Sequence, residues 1–234
     1  MNNAGYRPKT AYGRAEAAVH DDSRFTSLRG RLVDRLEKRA VASALEVLPR
    51  GGHLLDLPAG TGRITQFLLE GGYRTSGVDI SEAMIQVAGA RLERFANICS
   101  LCVADAERLP FQDQAFDGVV RVRLMGHVPP TLRLQILSEM KRVTKEWIIA
   151  VYYISDAATD LKRAIKSALG KAPKMWFPIS SRAPELEIGQ AGLHIVRTTP
   201  TCRYLSEACV VLISNRPPKW VPWRPSPVRT LVMR

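Results

Sequence analysis

With 234 residues and a net charge of +12, the chain is long enough to bury one large α/β core. It contains no run of the roughly 18 to 20 apolar residues that a membrane-spanning helix needs. The opening "MNNAGYRPKTAYGR" lacks an apolar signal core, and four cysteines do not make a disulfide framework in a chain of this size. These features predict a soluble protein in a reducing, cytoplasmic setting. The charge is unevenly placed: ten bases against six acids in residues 1–50, five against nine in 51–120, and nineteen against seven in 121–234. Such a basic excess suits RNA, an anionic membrane surface or an acidic substrate, and it also keeps proteins soluble.

Residues 28–48 place Leu28, Leu32, Leu36, Ala40, Ala44 and Leu48 at helical spacing, and Pro49 with Gly51 and Gly52 ends the run. "HLLDL" is short, apolar and bounded by turn residues, as a buried strand should be. A glycine loop follows, then a helix "RITQFLLEG" closed by Gly71 and Gly72. The rhythm repeats with strand "TSGVDI", helix "EAMIQVAGARLERF", strands "ICSLCVADA" and "FDGVVRVRLM", helix "LRLQILSEMKRVT" and strand "WIIAVYYI". This alternation predicts a parallel, doubly wound sheet with helices on both faces.

Beyond the fifth strand the pattern changes. "DAATDLKRAIKSALG" has Leu161, Ala164, Ile165, Ala168 and Leu169 on one helical face, and a basic segment with "KMWFP" comes next. A short helix around "APELEIGQAG" and two strands, "LHIVRTT" and "EACVVLIS", should finish the sheet as an antiparallel hairpin. From Asn215 the last 20 residues hold five prolines, five bases and two tryptophans, a composition without a core of its own.

The loop in "LLDLPAGTGR" raises a question of ligand. It lacks the Lys-Ser/Thr pair of a phosphate-binding P-loop, and Thr65 stands where a dinucleotide fingerprint needs its third glycine. Asp56 opens the loop, and a carboxylate there repels a pyrophosphate while attracting a cation. Asp56, Asp79 and Asp105 each fall at the carboxyl end of a successive strand, the edge at which open α/β sheets bind ligands. Asp79 lies 23 residues past Asp56, close to the spacing that sets an acid on ribose hydroxyls. A ligand with an ammonium or sulfonium, a ribose diol and an adenine amino group matches the three acids in turn.

"LLDLPAGTGR", "GVDIS" with "EAMI", and "ADAERLPFQDQAFDGVV" resemble, in order, the first four motifs of the class I S-adenosylmethionine-dependent methyltransferases, especially the quinone-biosynthesis branch. The resemblance spans about residues 40–150 and implies a Rossmann-like fold with S-adenosylmethionine as cofactor. Position by position it implies Asp56, Pro58, Ala59, Gly60 and Gly62 around the methionine moiety and Asp79 on the ribose. It further implies Ile80 and Met84 against the adenine, with Asp105 and Ala106 at the adenine amino edge. Pro58 departs from the family, which has a glycine there. Proline removes an N–H, and if that position offers only its carbonyl, the loss costs the ligand nothing.

Arg121 and Arg123 are spaced to share one face of the fourth strand near its carboxyl end. There they would bind a carboxylate or phosphate of the acceptor, or, if the strand has already ended, reach solvent or pair with acids. His127 in "MGHVPP" is a candidate general base, with a structural role as the alternative. Cys99 and Cys102 form a CxxC within a strand, which reads as core cysteines rather than a zinc site, and no metal is expected. In the resembled branch, segments such as that with Tyr6, Tyr12, Arg14 and Arg24 fold over the cofactor. The helix at 158–169 with Trp176 and Phe177 reads as a wall of the acceptor pocket, with an anionic membrane surface as the alternative.

The expected organisation is one methyltransferase domain over 1–214: a helical cover (1–50), a cofactor-binding half (51–150), and an acceptor-side insertion with the final strands (151–214). A basic, proline-rich tail occupies 215–234. The expected function is methyl transfer to a small-molecule acceptor, acidic or lipid- and quinone-like. An RNA methyltransferase and a non-catalytic S-adenosylmethionine-binding partner are the alternatives, and "GHVPP" does not supply the [DN]-P-P-[YF] motif of many RNA enzymes.

Overall fold

The structure is a computed structural model that describes residues 27–154, 177, 179–201 and 208–217. The helix expected from "DAATDLKRAIKSALG", the N-terminal segment with Tyr6, Tyr12, Arg14 and Arg24, Trp176 and nearly all of the tail lie outside the described residues.

Seven strands form one sheet in the order β3-β2-β1-β4-β5-β7-β6: β1 (His53–Asp56), β2 (Arg74–Asp79), β3 (Cys99–Val103), β4 (Phe116–Val122), β5 (Thr144–Tyr153), β6 (His194–Pro200) and β7 (Ala208–Ser214). β1 to β5 pair in parallel, while β7 runs antiparallel between β5 and β6. The expected fold class and closing hairpin are therefore present. Central strands such as β4 and β7 read as almost continuous apolar runs because both faces are covered. The edge strands β3 and β6 stay half-exposed, so Cys99 and Cys102 on β3 are only partly buried, unlike the core Cys209.

The helices are α1 (Leu28–Leu45), α2 (Arg63–Glu70), α3 (Glu82–Leu92), α4 (Pro130–Val143) and α5 (Ala183–Gln190). α1 and α2 cover one face with Val41, Leu45, Ile64 and Leu68 against Val120, Val122 and Ile149. α4 and α5 cover the other with Ile136, Leu137, Met140 and Ile188 against Val119, Ile148 and Ala150. Leu69 of α2 packs on Ala88 and Leu92 of α3.

Two sequence expectations are corrected. The apolar stripe assigned to α1 is buried only from Ala40 onward; Leu28 and Leu32 are 80% and 41% exposed, and Glu37 is 1% exposed. The reason is position: Glu37 meets Tyr153 at the carboxyl end of β5, so the helix's first turns reach past the sheet and find no apolar surface beneath them. The fourth strand is also shorter than expected. It ends at Val122, because Arg123 takes φ +61, a left-handed conformation, and a short 3-10 turn (Met125–His127) follows.

That left-handed residue breaks the two-residue alternation. Arg121 stacks on Tyr152, with its guanidinium carbon 4.2 Å from the ring centre, whereas Arg123 stacks on Tyr153 at 4.9 Å. Adjacent residues of β5 face opposite sides, so the two arginines lie on opposite faces and do not form a joint clamp.

Arg123 instead joins a buried charge cluster. Glu37 accepts hydrogen bonds from Arg63 Nη2 (2.7 Å), from Tyr153 Oη and, at 3.5 Å, from Arg123 Nη2, while Arg63 also pairs with Asp34. Burial opposes the Arg63 charge, yet Glu37 and Asp34 outweigh it and raise its pKa; burial and Glu37 together push the Tyr153 phenol up. The cluster ties the overhanging turns of α1 to the first residue of α2 and to the ends of β4 and β5. Glu37→Gln should lower the unfolding free energy in urea by about 1.5 to 3 kcal/mol, since it removes the buried charge that accepts from Arg63, Arg123 and Tyr153 while Asp34 still pairs with Arg63.

Candidate functional site

The site begins where β1 ends. Leu57 N donates to Val120 O at 3.0 Å and Ala59 N to Val78 O at 2.8 Å, which pins the loop between β4 and β2. Gly62 N then donates to Ala59 O at 2.9 Å, and Gly62 opens α2 with φ +81. Gly60 has φ +54, and a Cβ built there would meet nothing within 4 Å: its outer side is open space at the sheet edge. The half-buried Pro58 follows Leu57 through a cis peptide, and the flanking N–H groups supply every bond that closes the loop. The proline does not stop the loop from forming.

Asp56 and Asp79 stand side by side below this loop. Asp79 Oδ2 accepts from Gly60 N and Oδ1 from Ser81 N, each at 2.9 Å, so one carboxylate joins the loop after β1 to the start of α3. Asp56 is fully buried: Oδ2 accepts from Thr65 Oγ1 at 2.7 Å, and Oδ1 has no hydrogen-bond partner. Burial pushes its pKa up to about 7 and Asp79 adds to the rise, against the pull of Thr65 and Arg63. A buried acid with an unpartnered oxygen beside a second carboxylate is chemically suited to a cation.

Further along the edge, Ile80 is half-buried and Met84 buried at the start of α3, whose N-cap Ser81 accepts from Met84 N. After β3, Ala104 N bonds Asp79 O, and Asp105 Oδ1 accepts from Glu107 N at 3.0 Å, which turns the chain so that Asp105 and Ala106 stay half-buried at the rim. The residues expected around methionine, ribose and adenine thus occupy successive loops along one edge. His127 lies half-buried in the turn after β4, and Arg121 is buried within β4 on the α4 side.

Sequence reasoning missed Glu37 and Arg133. Arg133, 1% exposed in α4, donates to Val128 O (3.1 Å), Phe177 O (3.2 Å) and Glu187 Oε1 (3.1 Å). A signal was available: Arg133 precedes Ile136, Leu137 and Met140, and Glu37 precedes Ala40, Val41 and Ala44, each in phase with a buried stripe. Among the described residues there is no group of three or more His, Cys, Asp or Glu placed to hold a metal, and no helix is long and apolar enough to cross a membrane. An open groove of about 450 Å³ runs along α1 between Arg31, Asp34, Arg35, Lys38 and Phe67, and none of the strand-end carboxylates lines it.

Residues 54–146 match the family model described as a methyltransferase domain. The demethylmenaquinone methyltransferase of Tropheryma whipplei is 38% identical over 98 residues, 42% of this chain and 39% of that protein. The ubiquinone/menaquinone biosynthesis C-methyltransferase of Acidiphilium cryptum is 38% identical over 116 residues, 48% of this chain and 45% of that protein. The match thus spans less than half the length of these relatives. Among solved structures, the magnesium protoporphyrin IX methyltransferase of Synechocystis superposes with a TM-score of 0.67 at 17% identity, covering 87% of this chain and 97% of the other. The Burkholderia thailandensis 1,6-didemethyltoxoflavin-N1-methyltransferase gives 0.65 at 17% identity, with 86% of each chain covered. At such identities the superpositions speak for the fold. Over residues 54–146 the chain is thus similar to the methyltransferase-domain family, and over much the same stretch to the quinone-biosynthesis methyltransferases.

Proposed function

We infer that the protein binds S-adenosylmethionine along the carboxyl edge of β1, β2 and β3 and transfers its methyl group to a small-molecule acceptor. The observation that carries this is the buried, unpartnered Oδ1 of Asp56 at the end of β1, opening a loop in which a Cβ at Gly60 would meet nothing within 4 Å. The residues present suit the cofactor: Asp56 faces its ammonium, Pro58, Ala59, Gly60 and Gly62 wall the methionine part, and the Asp79 carboxylate takes the ribose hydroxyls. Ile80 and Met84 flank the adenine, and Asp105 with Ala106 meets its amino edge. When bound, the cofactor supplies an electrophilic methyl on a sulfonium.

The protein's own contribution is alignment and exclusion of water. The turn after β4 borders the acceptor side, and His127 there accepts the proton that an oxygen or nitrogen acceptor releases. Arg121 lies on this side also. Arg123, held by Glu37, serves α1 instead. The matched relatives act, by name, on menaquinone and ubiquinone precursors, and this supports a small-molecule acceptor over a macromolecular one.

Asp79→Ala should weaken binding of S-adenosylhomocysteine, read by calorimetry, about 10- to 100-fold, the loss expected for hydrogen bonds to a charged group. Affinity within twofold of the parent would remove Asp79 from the ribose.

For Asp56 the sign follows from a folded pKa of about 7 against an ordinary 3.8. Its cost to folding is absent below about 3.8, accrues as the unfolded chain ionises first, and is constant above about 7. Asp56→Asn should therefore raise the ligand-free melting temperature at pH 8 and leave it nearly unchanged at pH 4. The same substitution should weaken S-adenosylmethionine binding, and affinity of the parent should fall as pH drops through about 7. A stabilised variant that binds as well as the parent would contradict the ammonium role.

His127→Asn should lower turnover of an oxygen or nitrogen acceptor by about a hundredfold, as loss of a general base does, with cofactor affinity retained. Unchanged turnover would assign His127 a structural place.

A further inference from the structure

The acceptor side contains a charge that the fold leaves uncompensated. Arg121 has no accessible surface, and its Nε, Nη1 and Nη2 have no hydrogen-bond partner. A guanidinium carries five donors and stays protonated in proteins, so leaving all of them unmet in a core is costly. The surroundings repeat the deficit: Tyr152 Oη, on the ring that Arg121 stacks against, is buried without a partner, and so is Glu187 Oε2. The charged groups acting on Arg121 are Glu187 and Arg133, with Tyr152 and Cys209 beside them.

Burial keeps the Tyr152 phenol above its ordinary value and pushes the Cys209 thiol up to about 11, so both are neutral at physiological pH. Two guanidiniums and one carboxylate then leave one net positive charge in the buried group. Arg133 spends its donors on Val128 O, Phe177 O and Glu187 Oε1; Arg121 spends none. All of this lies at the ligand edge of the sheet: Arg121 is next to last in β4, Tyr152 next to last in β5, and Cys209 second in β7. Met125, Val128 and Ile179 belong to the same apolar cluster as Tyr152.

We propose that Arg121 and the Tyr152 hydroxyl form a subsite for a single carboxylate of the acceptor, set in an apolar wall, so that the substrate is a carboxylic acid with a flat apolar body. The proposal rests on the acceptor-side reading above. The guanidinium, its carbon 4.2 Å over the Tyr152 ring centre, offers donors to a carboxylate through two parallel hydrogen bonds, and the phenol donates a third. One net positive charge matches a monoanion and leaves a dianion in excess. Nearby, Phe177 N bonds Gly126 O at 2.7 Å and Ile179 pairs with Ile154, just beyond the ends of β4 and β5.

The test is thermal unfolding of the full chain with saturating S-adenosylhomocysteine, adding benzoate, benzamide or sodium chloride at equal concentration. Benzoate should raise the melting temperature, while benzamide, with the same ring and no charge, and chloride should not. Arg121→Met should bind benzoate at least tenfold more weakly, and without benzoate it should melt at or above the parent, because the uncompensated charge is gone. Tyr152→Phe removes one hydroxyl; it should weaken benzoate severalfold and leave ligand-free melting nearly unchanged.

No response to benzoate in the parent, or an equal response in Arg121→Met, would overturn the subsite, as would chloride reproducing the benzoate shift. If Arg121→Met does not fold, Tyr152→Phe decides: severalfold weaker benzoate supports the subsite and unchanged binding overturns it. The shift caused by S-adenosylhomocysteine alone reports on the cofactor reading, so its failure is distinguishable from failure of the carboxylate subsite.

Discussion

The structure turns on how tightly the loop after β1 must fold back against β2. Gly60 and Gly62 take positive φ values, and a Cβ at Gly77 would meet the Ala59 Cβ at 3.0 Å and Leu101 Cδ2 at 2.8 Å. Side chains of the loop and of β3 therefore pack directly on the Gly77 backbone, Ala59 N bonds Val78 O, and the Asp79 carboxylate reaches Gly60 N. That one contact sets Asp79 beside Asp56, fixes the start of α3 through Ser81 N, and leaves an acidic edge inside a basic protein. Burial then raises the Asp56 pKa, so the loop holds an acid that a neighbouring cation would ionise.

Four of the buried charged groups divide into two kinds. Glu37 and Arg133 are hydrogen-bonded to groups from several elements, and their work is to join those elements: α1 to α2 and the ends of β4 and β5, α4 to α5 and Phe177. Asp56 and Arg121 are buried with free hydrogen-bonding capacity. A fold tolerates an unmet buried charge poorly, so groups of the second kind are where ligands belong. The two lie at the carboxyl edge with opposite sign, one suited to the cationic end of a cofactor and the other to an anionic acceptor.

The family match runs from Leu54 to Glu146, from β1 to the first residues of β5. It includes the residues proposed for the cofactor together with Arg121 and His127, whereas Tyr152 and Glu187, which act on Arg121, lie beyond it.

Much of the fold was legible because its signals are local. Short apolar runs between turn residues marked the seven strands, glycines marked the loop, and the acids at strand ends marked the ligand edge; each depends on neighbours within a few residues. Side-chain partnership across the sheet was not legible. Nothing local shows that Glu37 meets Arg63, 26 positions away, or that Arg133 meets Glu187, 54 positions away. The separation of Arg121 from Arg123 rested on one left-handed residue, since a single φ of +61 at a strand end reverses which face a side chain takes. Sequence alone determined the order of the strands along the chain, the loop and the acidic edge, because hydrophobic period and turn chemistry are short-range. Tertiary structure decided which buried charges are met and which are left open, because that depends on groups brought together only when the sheet closes.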